Sequence, residues 1–208
     1  MRKLLLLVIL TVGFTTIYAQ GTPAPAPPPS EKKNDINKAG IKLGINSSVL
    51  TGQIADTTQI GSRTGFSGGI FYREGLGGIF GGQIEIRYIQ MGGVNNVLDI
   101  ETQLDYVRFG VQFKLYPLTS TLGANAFFGA EYGILINAKQ QDPVDKNSYI
   151  DVADFYSGSD FGIHAGVGLD FDFGFTTDLR AYFGLADVTE GTPDAHNFSL
   201  QFNFGWGF

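Results

Sequence analysis

Cysteine is absent from the 208 residues, which excludes disulfides, a lipid-anchored N-terminal cysteine and any thiolate metal site. Charge is also scarce. Charged residues make up 16% of the chain, against the roughly one-quarter usual for soluble domains. The formal net charge of −6 and a pI near 4.8 leave no clustered basic face for a phosphate backbone, so no nucleic-acid partner is expected. After the first twenty residues no apolar run reaches 18, which excludes a helical membrane protein. Two histidines in the whole chain leave little for metal or acid–base chemistry. What is abundant is glycine, with 29 residues, alongside 43% hydrophobic and 13% aromatic residues and a mean hydropathy of +0.05. Such blandness is compatible with a membrane barrel, whose alternating strands average out.

The N-terminus carries Arg2 and Lys3, an apolar stretch from Leu4 to Phe14, and Tyr18-Ala19-Gln20 as a cleavage point. This predicts a signal peptide over residues 1–19. Residues 20–38 hold five of the eight prolines and then Glu31-Lys32-Lys33-Asn34-Asp35, a composition that predicts a semi-rigid, Pro-rich periplasmic linker. The folded domain is expected over residues 39–208.

Within that domain apolar and polar residues alternate with period two in eight segments: about 40–50, 62–73, 79–90, 104–116, 123–138, 159–173, 177–186 and 197–208. Val107, Phe109, Val111, Phe113 and Leu115 alternate with Tyr106, Arg108, Gly110, Gln112 and Lys114 in the clearest of them. The links between segments alternate too. Residues 51–61, 91–103, 139–158 and 187–196 form long connections, and 74–78, 117–122 and 174–176 form short ones. Short turns at one end and long loops at the other predict an all-β, eight-stranded, antiparallel up-and-down transmembrane β-barrel of the bacterial outer membrane. With the linker in the periplasm, both chain ends fall there and the long loops lie outside.

Period two alone also allows a secreted lipocalin-like barrel with its apolar face inward. Glycine argues against it. Gly110, Gly129, Gly133, Gly162, Gly166, Gly168, Gly184, Gly205 and Gly207 all lie on the polar face, where they would weaken a solvated strand but make room inside a tight barrel. Tyr72, Phe80, Phe173, Trp206 and Phe208 at the short-turn end of the apolar face, with Phe66 and Tyr88 toward the loops, suit two interfacial aromatic girdles.

The run from Leu104 to Pro117, ending Lys114-Leu115-Tyr116-Pro117, together with Asp178-Leu179-Arg180-Ala181-Tyr182-Phe183-Gly184-Leu185, resembles the PorT-like outer-membrane β-barrels often grouped as porin-family barrels. The likeness covers residues 39–208. It departs from the family where Phe109 and Gly110 stand in place of a proline. The ending with Phe204, Trp206 and Phe208 is similar to the C-terminal signal read by barrel-assembly machinery, which implies that machinery as a partner. The family is functionally mixed, so the resemblance implies fold and location more than activity.

The polar face carries Lys42, Arg63, Arg73, Arg87, Arg108, Lys114 and Arg180 against Glu85, Glu131, Asp170, Asp172 and Asp178. An eight-stranded interior is only wide enough for side chains to fill it, so these groups are expected to pair as a plug; a narrow ion path along them is the alternative. His164 among lumen glycines is expected to be structural. His196 near Asp194 and Ser199 is a loose mimic of a catalytic site, and no enzymatic activity and no cofactor are expected. The outer loops are acidic, with Asp56, Asp99, Glu101, Asp142, Asp145, Asp151, Asp154, Asp187, Glu190 and Asp194 against Lys146. Divalent cations could bridge such carboxylates to lipopolysaccharide. The expected role is structural or interactive, with lipid, lipopolysaccharide and an envelope protein as partners.

Overall fold

A computed structural model describes residues 38–52, 60–117, 123–190 and 194–208. The expected signal peptide and most of the expected Pro-rich linker lie outside the described residues. Nine strands are present among them: β1 (Lys38–Thr51), β2 (Ile60–Gly77), β3 (Phe80–Asn95), β4 (Ile100–Leu115), β5 (Ala124–Gln141), β6 (Tyr149–Asp151), β7 (Ser159–Asp170), β8 (Phe175–Gly184) and β9 (His196–Gly207), with one 3₁₀ turn at Ala153–Phe155. Eight of them pair antiparallel with their neighbours in chain order, and β9 returns to pair with β1 from Gly40↔Gly207 to Thr51↔His196. The result is a closed barrel. The short β6 pairs with the far end of β5 alone, outside the ring.

Closure matters because hydrocarbon offers a strand edge no hydrogen-bond partner. The pleat then sends alternate side chains to opposite faces. Ile41, Leu43 and Ile45 point outward with more than half of each side chain exposed, whereas Lys42 between them is 2% exposed. An apolar exterior of this extent, continuous around a closed ring of strands, suits a lipid surrounding. At the short-turn end the rings of Phe173 and Trp206 lie 5.8 Å apart, and toward the long connections Phe66 meets Tyr88 at 5.5 Å.

Two features differ from the alternation pattern. Residues 91–103 do not form a long loop: β3 and β4 run on to a four-residue turn at 96–99, making a tall hairpin. Gly92 permits this by adopting φ +126°, at a point where a Cβ would overlap the Thr102 carbonyl oxygen. Asn95 Oδ1 then accepts the N–H groups of Val97 (3.0 Å) and Leu98 (3.1 Å) to build the turn. β5 carries a bulge, because Asp105 pairs with Asn137 but Tyr106 with Leu135. The extra residue, Ile136, reverses which positions of β5 face inward beyond it. Ala138 is therefore buried inside opposite Leu104.

Polarity changes sides along the upper wall. Below it, β3, β4 and β5 hold charge inside and aliphatics outside. Above it Ile89, Met91, Leu104 and Ala138 are buried inside with Leu50, Val152, Val188 and Ala195, while Gln90, Asp105 and Asn137 share the outer face. The long-connection end thus closes over a small apolar core like that of a soluble domain.

Val111, 59% exposed, sits on the outer face between Ile84 and Ala130. Val111→Arg should prevent accumulation of the heat-modifiable barrel on cold gel electrophoresis, because a charge at mid-bilayer depth costs about 2 to 4 kcal/mol.

Candidate functional site: the lumen charge network

The strands bring ten residues of the expected lumen network, Lys42, Arg73, Glu85, Arg87, Arg108, Lys114, Glu131, Asp170, Asp178 and Arg180, to the interior, none more than 7% exposed. They fall into layers. Near the short turns Asp170 is the hub. It pairs with Arg73 and with Lys114 Nζ at 2.9 Å, and accepts hydrogen bonds from Tyr116 (2.8 Å), Asn125 (3.0 Å) and Thr176 (2.6 Å).

In the middle layer two carboxylates bind cations from three strands. Glu85 takes Lys42 Nζ at 2.6 Å, Arg180 Nη1 at 2.9 Å and Arg87 Nε at 3.1 Å. Glu131, two strands away on β5, takes Arg87 Nη2 at 2.6 Å and Arg180 Nη1 at 2.7 Å. Lys42 is shared with Asp178 at 3.0 Å. Neutral amides complete the layer: Gln112 Oε1 accepts from Arg180, Gln201 Oε1 accepts from Arg87, and Asn203 donates to Asp178. The Arg180 guanidinium also lies 5.4 Å from the Phe127 ring centre.

Above this, Arg108 Nη2 meets Asp160 at 2.5 Å, and Tyr182 (3.0 Å) and Asn197 (2.9 Å) donate to the same oxygen. The Arg108 guanidinium stacks 4.1 Å from the Tyr182 ring centre and 4.9 Å from that of Tyr106. At Gly162 a Cβ would overlap the Tyr182 ring, so this glycine admits the tyrosine. The apolar core of the upper wall covers this layer.

Two assignments are corrected. Asp172 is not a lumen residue: β7 ends at Asp170, and Asp172 is exposed in the turn, where its carbonyl accepts Lys38 Nζ at 2.7 Å. Arg63 is buried but separate from the network. A register shift between Ser62 and Ser67 sends it to Glu101 Oε1 (2.5 Å) and Gln103 Oε1 (2.8 Å), which share the outer face of β4 with Asp105. The alternation as read missed Asp160 and Phe127. Asp160 keeps step with Gly162 and His164, and Phe127 with Asn125 and Gly129, so counting back in twos finds both.

His164 Nδ1 lies 3.2 Å from Glu131 Oε1. The loose triad at the rim does not assemble: His196 Nδ1 contacts the Ala186 carbonyl at 2.9 Å, and Ser199 Oγ accepts from Gln201 inside the barrel. Residues three apart on an extended strand face opposite ways. Among the outer acids, Glu101 is paired with Arg63 and Asp99 with Lys146. Burial works against the Asp187 carboxylate, yet the N–H groups of Ala195 and Thr189 and the Thr189 hydroxyl outweigh it and hold Asp187 below the usual aspartate range. Among the described residues no group of three His, Asp or Glu side chains is placed to hold a metal ion.

A family model described as outer membrane protein beta-barrel domain matches residues 29–190. The chain belongs to this family. Fold and family place it in the outer membrane. Among solved structures, Neisserial surface protein A superposes with a TM-score of 0.56 at 11% identity, over 82% of this chain and 97% of that one, which supports the barrel fold. Ail, the attachment invasion locus protein of Yersinia pestis, gives 0.45 at 16% identity over 83% of this chain and 99% of that one. OprG of Pseudomonas aeruginosa gives 0.48 at 12% over 84% and 97%. No curated protein matches the sequence.

Asp160→Ala should lower the unfolding free energy of the refolded barrel in urea by about 3 to 5 kcal/mol, with a lower midpoint, since it strands the buried Arg108 cation. Asp172→Ala should leave the midpoint unchanged. Equal effects would undo the layer assignment.

Proposed function

We propose that the protein is a closed outer-membrane anchor that presents its long connections to partners, rather than a channel or an enzyme. Its short turns and both chain ends lie in the periplasm in this reading, and the linker and outer hairpins supply the contacts. The supporting observation is the stacking inside the barrel: two layers of paired charge, the Arg108–Asp160 layer and an apolar core leave side chains across the lumen from end to end. The Lys114-Leu115-Tyr116-Pro117 end of β4 supports placing it among PorT-like barrels. Phe204 and Trp206, exposed on the outer face of β9 next to the closing strand, and Phe208 just after it suit recognition by barrel-assembly machinery.

A narrow channel is the second reading. It draws on buried polar atoms, Gln112 Nε2, Glu131 Oε2 and Asp160 Oδ1, that have no hydrogen-bond partner in the protein and suit water. Planar-bilayer recording of the refolded barrel separates the two. The anchor reading predicts a silent membrane; discrete, reproducible conductance steps would overturn it in favour of the channel.

A further inference from the structure

The tall β3–β4 hairpin and the β5–β6 hairpin end in turns that carry apolar side chains where no lipid is needed to explain them. Val97 and Leu98 are 65% and 61% exposed and Val144 is 93% exposed. Tyr149, Ile150 and Phe155 beside them are exposed as well. The polar outer-face residues Gln90, Asp105 and Asn137 come between these tips and the aliphatic belt of the same strands.

Each tip is built on side-chain hydrogen bonds of its own. Asn95 Oδ1 holds the first turn as described above. Asp142 Oδ1 accepts the N–H groups of Val144 (2.7 Å) and Asp145 (3.2 Å), and Asp145 Oδ1 accepts that of Asn147 (3.1 Å). Lys146 pairs with Asp99 from one turn to the other, which places the two hairpin tips side by side.

Their charge selects the occupant. Asp99, Asp142, Asp145, Asp151 and Asp154 surround the apolar tips, against Lys139 and Lys146, and Lys146 is already engaged. A second copy of this chain would bring the same acidic surface, and polyanions and phosphate-rich headgroups would be repelled. We propose that the two hairpin tips form a docking surface for a cationic, amphipathic polypeptide segment, whose aliphatic side chains cover Val97, Leu98 and Val144 while its lysines or arginines face the aspartates. This deepens the anchor reading and rests on the long connections being the presented end.

The test uses the full-length mature chain in zwitterionic nanodiscs, with empty nanodiscs as reference and a fluorescent peptide of Lys and Leu in amphipathic spacing as probe. Two control peptides replace all Lys by Glu or all Leu by Ser. The Lys/Leu peptide should bind the loaded discs about tenfold more tightly than either control, a difference of about 1.4 kcal/mol. A Val97→Ser, Leu98→Ser, Val144→Ser triple variant should lose about that factor, while its heat modifiability shows the barrel intact. In an Asp151→Asn, Asp154→Asn variant the side-chain amide oxygen at position 151 can still accept the Ala153 N–H, so the local turn is kept. That variant should bind more weakly and with less salt dependence. Equal binding to empty discs, equal binding of the Lys/Ser peptide, or full binding by the triple variant would each overturn the docking surface. Conductance steps from the same protein with peptide binding intact would instead sink the anchor reading and leave the surface standing.

Discussion

Everything in this barrel depends on finding partners for charge in a space crowded by side chains. Glu85 and Glu131 stand on β3 and β5, and Arg180 on β8 reaches both. A charge taken out of water this completely is costly unless it is paired and hydrogen-bonded. The ring of strands supplies the partners by register: Lys42, Arg87 and Asp178 come to the same level because their strands are staggered, and the amides of Gln112, Gln201 and Asn203 fill the bonds that the ions leave. The small residues on the inner face follow from the same crowding, since the Tyr182 phenol and the Phe127 ring occupy the width that side chains at Gly162 and Gly166 would need.

The molecule solves two solvation problems along one set of strands. In the lipid-facing part the exterior is aliphatic and the interior ionic; beyond Tyr106 on β4 the interior becomes apolar and the exterior polar. On β3 and β4 the faces keep their step and only the residue types change, Ile89 and Met91 following Glu85 and Arg87 inward as Leu104 follows Arg108. On β5 the backbone itself gains a residue, the bulge at Ile136. The register shift between Ser62 and Ser67 does the same on β2, which is why Arg63 leaves the lumen for Glu101.

Much of this was legible from residue order. Alternation located all eight barrel strands, and glycine on the polar face indicated which side was crowded. The ten network residues were readable because strict alternation holds through the middle of every strand. Legibility ended where alternation did. Residues 91–103 combine Gly92-Gly93 with Asn95-Asn96 and polar positions on β4, a composition that reads as loop, and only the pairing of β3 with β4 reveals the hairpin. Asp160 stands at the second position of its strand, where a boundary drawn by eye decides whether a carboxylate is counted. Asp172 shows the reverse error, because continuing the alternation past the end of β7 assigns a turn residue to the interior. Which carboxylate meets which cation was not readable at all, since that depends on strand stagger rather than on spacing along the chain.

The distances in sequence across the ion pairs bear on how such a barrel can be built. Lys42 meets Asp178 across 136 residues, and Arg180 meets Glu85 across 95. No hairpin and no run of three consecutive strands contains both members of either pair. Other pairs are less demanding, because Lys42–Glu85 and Arg87–Glu131 each lie within three consecutive strands and can form in a partly assembled sheet. The middle layer is therefore built in stages, and its last cross-links wait for β8, the strand before the one that closes the ring.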